Sequence, residues 1–205
     1  MGVLSDERSD RELLQAWGAG ETPAGAQLFD RHFGALSRFF RNKAGDAADD
    51  LIQQTLLACL EARARFEGKA SFRTFLFAIA RNVLYSHYRG RAVEPPDFSV
   101  SCIAELAPSA TSMIAAAGRQ RSLLEALRTI PLQFQIVLEL SYWERLTAAE
   151  IGEIVGAPEG TVRTRLRRAK ELVAKELRRI ENLGLPLETT IHQLDDWAAA
   201  VRAEL

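Results

Sequence analysis

Apolar residues along this 205-residue chain recur three and four positions apart, the spacing of one face of an α-helix. Ser9 and Glu12 form a capping box for a short helix through Trp17, closed by Gly18 and Gly20. Thr22-Pro23 caps and opens a longer helix with Leu28, Phe29, Phe33, Leu36, Phe39 and Phe40 at helical intervals, ended by Gly45. Asp46 is expected to cap a third helix, 47–65, with Ile52, Leu56, Cys59 and Leu60 inward. After the loop 66–71, Ser71 caps a fourth helix, 72–89, whose inner stripe is Phe72, Leu76, Ile79, Ala80 and Val83. No alternating stretch of useful length appears, so the expected class is all-α: two small helical domains joined by a flexible linker.

The linker is residues 93–118, where Pro95, Pro96 and Pro108 argue against regular structure. It carries Glu94, Asp97 and Glu105 and no basic residue. A coil of this length spans roughly 28 Å relaxed and about 90 Å drawn out. Helices from Arg119 to Thr129 and around Phe134, Val137 and Leu138 then lead into TAAEIGEIVGAPEGTVRTRLRRAK at 147–170. Thr147 and Glu150 make a capping box, Gly156 stops that helix, and Pro158 suits the first position of the next. A short helix, a tight glycine turn and a basic second helix form the helix-turn-helix pattern that fits the DNA major groove. At about 100° per residue, Val162, Leu166, Ala169, Val173 and Leu177 face the core. Gly160, Arg163, Thr164, Arg167, Arg168 and Glu171 face outward, and Arg165 is read as a structural partner of Glu150.

Composition narrows the chemistry. With 47% hydrophobic and 26% charged residues, the chain suits one or two compact domains. The net charge of −1 gives no global nucleic-acid signature, so the local segregation of charge carries the argument. Cys59 and Cys102 have no metal-ligand spacing, and the three histidines are scattered, so no metal or cofactor is expected. No paired carboxylates, nucleophile–base set or phosphate loop appears, which argues against an enzyme. The start of the chain is polar, with no signal peptide, and no apolar run is long enough to span a bilayer. A cytoplasmic protein without membrane insertion is expected.

Two surfaces of the first half stand out. Asp46, Asp49, Asp50, Gln53 and Gln54 make an acidic, amide-rich face near a helix N-terminus, where acids also complement the helix dipole. The stretch 66–91 interleaves aromatics (Phe66, Phe72, Phe75, Phe77, Tyr85, Tyr88) with bases (Lys69, Arg73, Arg81, Arg89, Arg91). Planes for stacking beside charges for a backbone are what single-stranded DNA requires. Phe77, Tyr85 and Tyr88 lie off the inner stripe and are the better stacking candidates.

Glu150-Ile151, Gly160-Thr161-Val162, Arg165-Leu166 and Arg168-Ala169 resemble the last DNA-binding region of bacterial RNA polymerase sigma factors, most of all the small extracytoplasmic-function (ECF) class. DAADDLIQQT (46–55) resembles that family's segment that docks on the clamp helices of the polymerase largest subunit. FEGKASFRTFLFAIARN (66–82) resembles its minus-ten recognition and melting segment. Two matched segments in the right order, over about residues 9–180, are far more specific than a lone helix-turn-helix.

The resemblance implies a division into 9–92 (region 2: core docking, minus-ten recognition and melting), 93–118 (linker), 119–180 (region 4: minus-thirty-five recognition) and 181–205 (C-terminal extension). It implies minus-thirty-five contacts by Gly160, Thr161, Arg163, Thr164, Arg167, Arg168 and Lys170. It implies minus-ten contacts by Phe66, Gly68, Lys69, Ala70, Ser71, Phe75, Arg81, Asn82 and Tyr85. In the family the loop at 67–71 holds a base flipped from the non-template strand, and the position of Asn82 contacts the same strand. Asp46, Asp49, Asp50, Gln53 and Gln54 would dock on core. The implied partners are polymerase core, through its clamp helices and flap, and promoter DNA, with an anti-sigma factor as a candidate third. Phe75 replaces a usual tryptophan, Ser86 a usual aspartate, and Gln135 and Arg145 stand where arginine and glycine are common. A stand-alone helix-turn-helix regulator is the rival reading; it would leave the acidic face and the aromatic-basic helix without a purpose. Beyond Ile180 the charge turns acidic, and Leu194, Trp197, Ala198 and Val201 share one face of an expected helix.

Overall fold

The computed structural model describes residues 8–63, 66, 70–106 and 119–180, so the tail helix expected after residue 181 and most of the loop at 67–71 lie outside the described residues. The elements are α1 (Asp10–Gly18), α2 (Thr22–Ala44), α3 (Ala48–Ala62), α4 (Phe72–Arg91), α5 (Ile103–Leu106), α6 (Arg119–Thr129), α7 (Leu132–Tyr142), α8 (Ala148–Val155) and α9 (Glu159–Ile180). The described residues hold no strand; one isolated bridge pairs Cys102 with Pro131.

Local chemistry sets most of the boundaries. Ser9 and Glu12 close their capping box at the start of α1. The Ser71 hydroxyl accepts from the Thr74 amide at 3.0 Å and begins α4. Two expected caps are replaced. Glu21, not Thr22, occupies the N-cap of α2, with no side-chain hydrogen bond. Asp46 does not cap α3: Gly45–Ala47 forms a single 3₁₀ turn that continues into the helix, so the amides there meet backbone rather than a carboxylate.

α1 to α4 enclose Leu13, Trp17, Leu28, Leu36, Phe40, Leu51, Cys59 and Leu76. Burial pushes the Cys59 thiol up to about 12, which leaves it an inert packing group. Leu60 was expected inside this core, yet it is exposed together with Leu57. Ile52, Thr55 and Cys59 already fill the inward face of α3, and Leu60 falls beside them on the solvent side. A second core gathers Leu123, Leu127, Ile130, Leu138, Ala169, Val173 and Leu177 from α6, α7 and α9.

The first core does not end at α4. Leu132, Ile136, Val137, Leu140, Leu146, Ile151, Ile154 and Val162, from α7 to α9, belong to the same contiguous cluster. The far side of α4 is therefore covered. Phe77, Tyr85 and Tyr88, expected off the inner stripe, are all buried. Each such ring contributes about 1.5–3 kcal/mol by burial: Phe77 meets Phe39 of α2, the Tyr88 hydroxyl donates to the Lys43 carbonyl, and Phe98 covers Tyr85.

The first part of the linker is also built in, against the expectation of an irregular tether. Phe98, Cys102 and Ile103 are buried. The amides of Leu132 and Gln133 donate to the carbonyls of Ser101 and Phe98 at 3.0 and 3.1 Å, fastening this segment to the start of α7. Residues 107–118 lie outside the described residues.

Candidate nucleic-acid interface

α8 and α9 are oriented by a turn that glycine alone fits. Thr147 accepts from the Glu150 amide, while the Glu150 carboxylate accepts from the Thr147 amide and hydroxyl, both at 2.7 Å. These bonds hold the Glu150 carboxyl below its usual range. Gly156 then takes φ 67°, the left-handed cap. A Cβ on Gly152 would stand 2.6 Å from the Ala157 carbonyl oxygen, so the turn folds against the helix only where no side chain intervenes. On α9, Val162, Ala169, Val173 and Leu177 are buried. Gly160, Thr161, Arg163, Thr164, Arg167 and Arg168 are exposed along the opposite side.

The charges on that side are steered from within. Arg163 pairs with Glu159 at 2.5 Å and Arg168 with Glu171 at 3.1 Å, both in exposed positions where such pairs are weak. Lys170 is half-buried, with its ammonium 5.1 Å from the centre of the Tyr142 ring. Arg165 does not partner Glu150, whose carboxylate is committed to Thr147. It lines a cleft of about 270 Å³ with Arg81, Tyr85, Phe98, Gln133 and Val155.

The aromatic-basic surface of α4 divides. The Phe66 and Phe75 rings lie 4.6 Å apart with planes tilted by 51°, half-buried near Ala70 and the exposed cap Ser71. Phe66, Ala70 and Ser71 line a hollow of about 720 Å³ with Arg11, Leu14, Arg63 and Phe72. Gly68 and Lys69 lie outside the described residues. Further along, Asn82 is exposed and accepts from Arg81 at 3.4 Å. Tyr85 is turned away from solvent: Phe98 stacks on it at 4.0 Å with planes 20° apart, and Arg81 sits 4.5 Å from the ring centre. Two candidate stacking groups are thus placed together at the helix start, and the third is capped by the linker.

Asp46, Asp49, Asp50, Gln53 and Gln54 are all exposed around the start of α3. Leu57 and Leu60 continue this face at the next helical positions, about half exposed, and extend it with an apolar end. Sequence reasoning missed Leu57. Helical angle alone carries the signal, since Leu57 and Leu60 stand within about 40° of Gln53 and well off the line of Ile52 and Cys59.

Sequence reasoning also missed the polar groups that α2 and α4 share with the helix-turn-helix half. Lys43 of α2 is fully buried and pairs with the buried Glu139 of α7. Glu139 also accepts from Gln135 at 2.8 Å and from Asn42 at 3.4 Å. Glu144 takes Arg38 at 3.2 Å on one oxygen and Arg73 on the other. Burial pushes Glu139 up and Lys43 down from their ordinary values, each against the pull of the other.

Among the described residues no cluster of His, Cys, Asp and Glu could hold a metal, and no helix is long and apolar enough to cross a membrane. The arrangement is that of a helical DNA-binding protein: one helix-turn-helix with an outward basic face, packed on a second helical unit. Residues 28–93 match the Sigma-70 region 2 family model, and residues 120–173 match Sigma-70, region 4. The ECF RNA polymerase sigma factor SigM of Mycobacterium tuberculosis is 29% identical over 173 residues, covering 83% of this chain and 86% of that one. SigF of Caulobacter vibrioides, also an ECF sigma factor, is 30% identical over 148 residues, covering 70% and 79%. The solved structure of CnrH in complex with the cytosolic domain of CnrY shares the fold, with TM-score 0.63 and 24% identity over 83% of this chain and 97% of that one. The chain belongs to the ECF RNA polymerase sigma factors, which direct polymerase to promoters and are transcription regulators rather than enzymes.

Proposed function

We propose that the two halves of this chain read the two promoter elements in different ways. The outward face of α9 (Gly160, Thr161, Arg163, Thr164, Arg167, Arg168, with Lys170 at its edge) lies in the major groove of the minus-thirty-five element. Arginine suits this task because its fork meets guanine or holds a phosphate. The loop before α4 and the groups Phe66, Phe75, Ser71 and Asn82 take the unstacked non-template strand of the minus-ten element. Neighbouring aromatics beside bases support this assignment, and Arg81 and Tyr85 join them once uncovered. The acidic start of α3, with Leu57 and Leu60, docks on the clamp helices of the polymerase largest subunit, and region 4 meets the flap. CnrH is bound to the cytosolic domain of CnrY; an anti-sigma factor is the corresponding partner assigned to this chain. The domain limits 9–92, 93–118, 119–180 and 181–205 follow these roles, and the work is done in the cytoplasm.

The observation that carries this reading is the α9 face: it is basic, exposed and fixed by a glycine-gated turn. Transcription from a promoter library with purified core polymerase tests it. Enrichment of one paired minus-thirty-five and minus-ten motif is the expected result. Arg168→Ala should relax the first element alone, and Asn82→Ala should reduce opening at the second alone. Tight, sequence-specific duplex binding without core, and no promoter selected with it, would favour the stand-alone regulator instead.

A further inference from the structure

Lys43 meets Glu139, and Arg38 and Arg73 share Glu144. Arg81 of α4 and Arg165 of α9 differ. Both line the cleft of about 270 Å³, and neither forms an ion pair among the described residues. Asp97 lines the same cleft, but its exposed carboxylate accepts from the Ser99 amide at 2.8 Å, within its own turn. The donors of Arg81 are largely unspent. It donates to Asn82 at 3.4 Å, and its Nε is buried with no acceptor among the described residues. A bound anion is an ordinary explanation for a buried donor of this kind. The Arg81 guanidinium lies 4.5 Å from the centre of the Tyr85 ring, and such stacking leaves edge N–H groups free to bond. Arg165 reaches the cleft from α9, half-buried and with no hydrogen bond among the described residues.

Two guanidiniums drawn into one cleft repel each other, and Arg89, 5.8 Å from the Phe98 ring centre, adds to the positive potential. A dianion relieves this best. A phosphate group carries about −1.5 to −2 charge near neutral pH and presents several acceptor oxygens, where a carboxylate carries a single charge. Size points the same way. The cleft falls below the roughly 300–1,000 Å³ of most small-molecule sites. Phe98 is stacked on Tyr85 at 4.0 Å, so that face of the ring is closed to a nucleobase. Pro96 and Val155 supply a short apolar wall, enough for a few ester carbons.

We propose that Arg81 and Arg165 form a binding site for a phosphate group, presented by inorganic phosphate or by a small phosphomonoester, in the cleft between α4, the linker start and α9. The phosphate is gripped from two separate helices, and the unspent donors of Arg81 gain acceptors. The lining comes from α4, the linker start, α7, α8 and α9, so a bound phosphate favours their packed arrangement by mass action. The stability of the chain then rises with phosphate concentration. The proposal needs neither a promoter role for α4 nor polymerase.

The test titrates the full chain with orthophosphate and, separately, with glycerol 3-phosphate, in Tris chloride at fixed ionic strength. Calorimetry should show saturable binding at a single site, and the thermal midpoint should climb with added phosphate. Arg81→Gln and Arg165→Gln should each weaken binding about tenfold or more, as expected for a lost charge-assisted pair. Arg165→Lys should keep part of the affinity, because it retains the charge and loses the fork. Arg179→Gln should change nothing, since Arg179 pairs with Glu176 and does not line the cleft. A second measurement needs no variant. Phosphate should protect Arg81 and Arg165 of the wild-type chain from phenylglyoxal, read by peptide mapping, and leave Arg179 reactive.

Binding of orthophosphate without glycerol 3-phosphate supports the site and restricts it to the inorganic ion. Absence of saturable binding by both probes overturns it. So does binding that both glutamine variants leave unchanged with helicity retained, or that protects neither arginine. Protection of Arg81 and Arg165 by a single-stranded oligonucleotide, with neither small probe bound, also overturns it and gives the cleft to a nucleic-acid backbone. None of these readouts involves a promoter, so their failure leaves the reading of the two promoter elements standing.

Discussion

α9 and α4 are both long helices that mix bases into an amphipathic pattern, yet they meet solvent differently. α9 buries one side and leaves a continuous basic side open. α4 buries Leu76 and Ala80 on one side and Tyr85 on the other, because α8 and the linker start cover it. The comparison teaches that a binding surface set by local turn chemistry is ready as folded. A surface that borrows aromatic residues can be hidden by its neighbours, because the rings that would stack on bases pack equally well in a seam. Duplex reading and strand capture are therefore separable in this chain.

The largest expected effect breaks the α9 side of that comparison. Gly152→Leu forces a side chain against the Ala157 carbonyl oxygen, where even a Cβ would stand at 2.6 Å. It should cost about 3 kcal/mol, read by thermal melting, and abolish minus-thirty-five binding.

Next, Arg168→Ala should weaken minus-thirty-five duplex binding by about 2 kcal/mol, as expected for a lost bidentate base contact. Asn82→Ala should leave that measurement unchanged and reduce permanganate reactivity in open complexes. Equal losses in both assays for both variants would erase the distinction between the two helices.

A smaller effect sharpens the local-chemistry claim. Thr147→Ala should cost about 1 kcal/mol as a lost cap. The wild-type contribution depends on pH with a definite sign. The folded Glu150 carboxyl lies below its ordinary value of 4.5, so the capping box is fully present above that pH. Its contribution is lost as pH falls through the depressed folded value. Urea melts between pH 6 and 3 should show a steeper acid loss for wild type than for Thr147→Ala.

The smallest effect is a gain. Arg145 sits at φ 52° just before α8, in the left-handed region that favours glycine. Arg145→Gly relieves that strain but loosens the unfolded chain, for a net stabilisation of about 0.5 kcal/mol. A lower denaturation midpoint would show that the Arg145 side chain contributes more than its backbone costs.

The legible parts share one property: their causes lie within a few residues. Thr147 with Glu150, Gly156, and Ser9 with Glu12 are read directly, because a cap or a left-handed turn is decided by neighbours in the chain. The outward face of α9 follows from helical angle once Val162 and Val173 are known to point inward. Asp46 shows the limit even locally, since a 3₁₀ turn displaced the expected cap by backbone geometry that composition does not encode.

By itself, then, the sequence determined an all-helical chain with a helix-turn-helix, its basic reading face and the acidic start of α3. Each is a matter of periodicity, caps and charge order. Only the tertiary structure decided that Arg165 faces a cleft rather than Glu150, that Tyr85 lies under Phe98, and that Leu57 and Leu60 stay in solvent. It alone joined Lys43 to Glu139, which stand 96 residues apart. The reason is physical. A helical pattern states which residues need burial, but several apolar surfaces compete to bury them, and the winner is set by packing between distant segments.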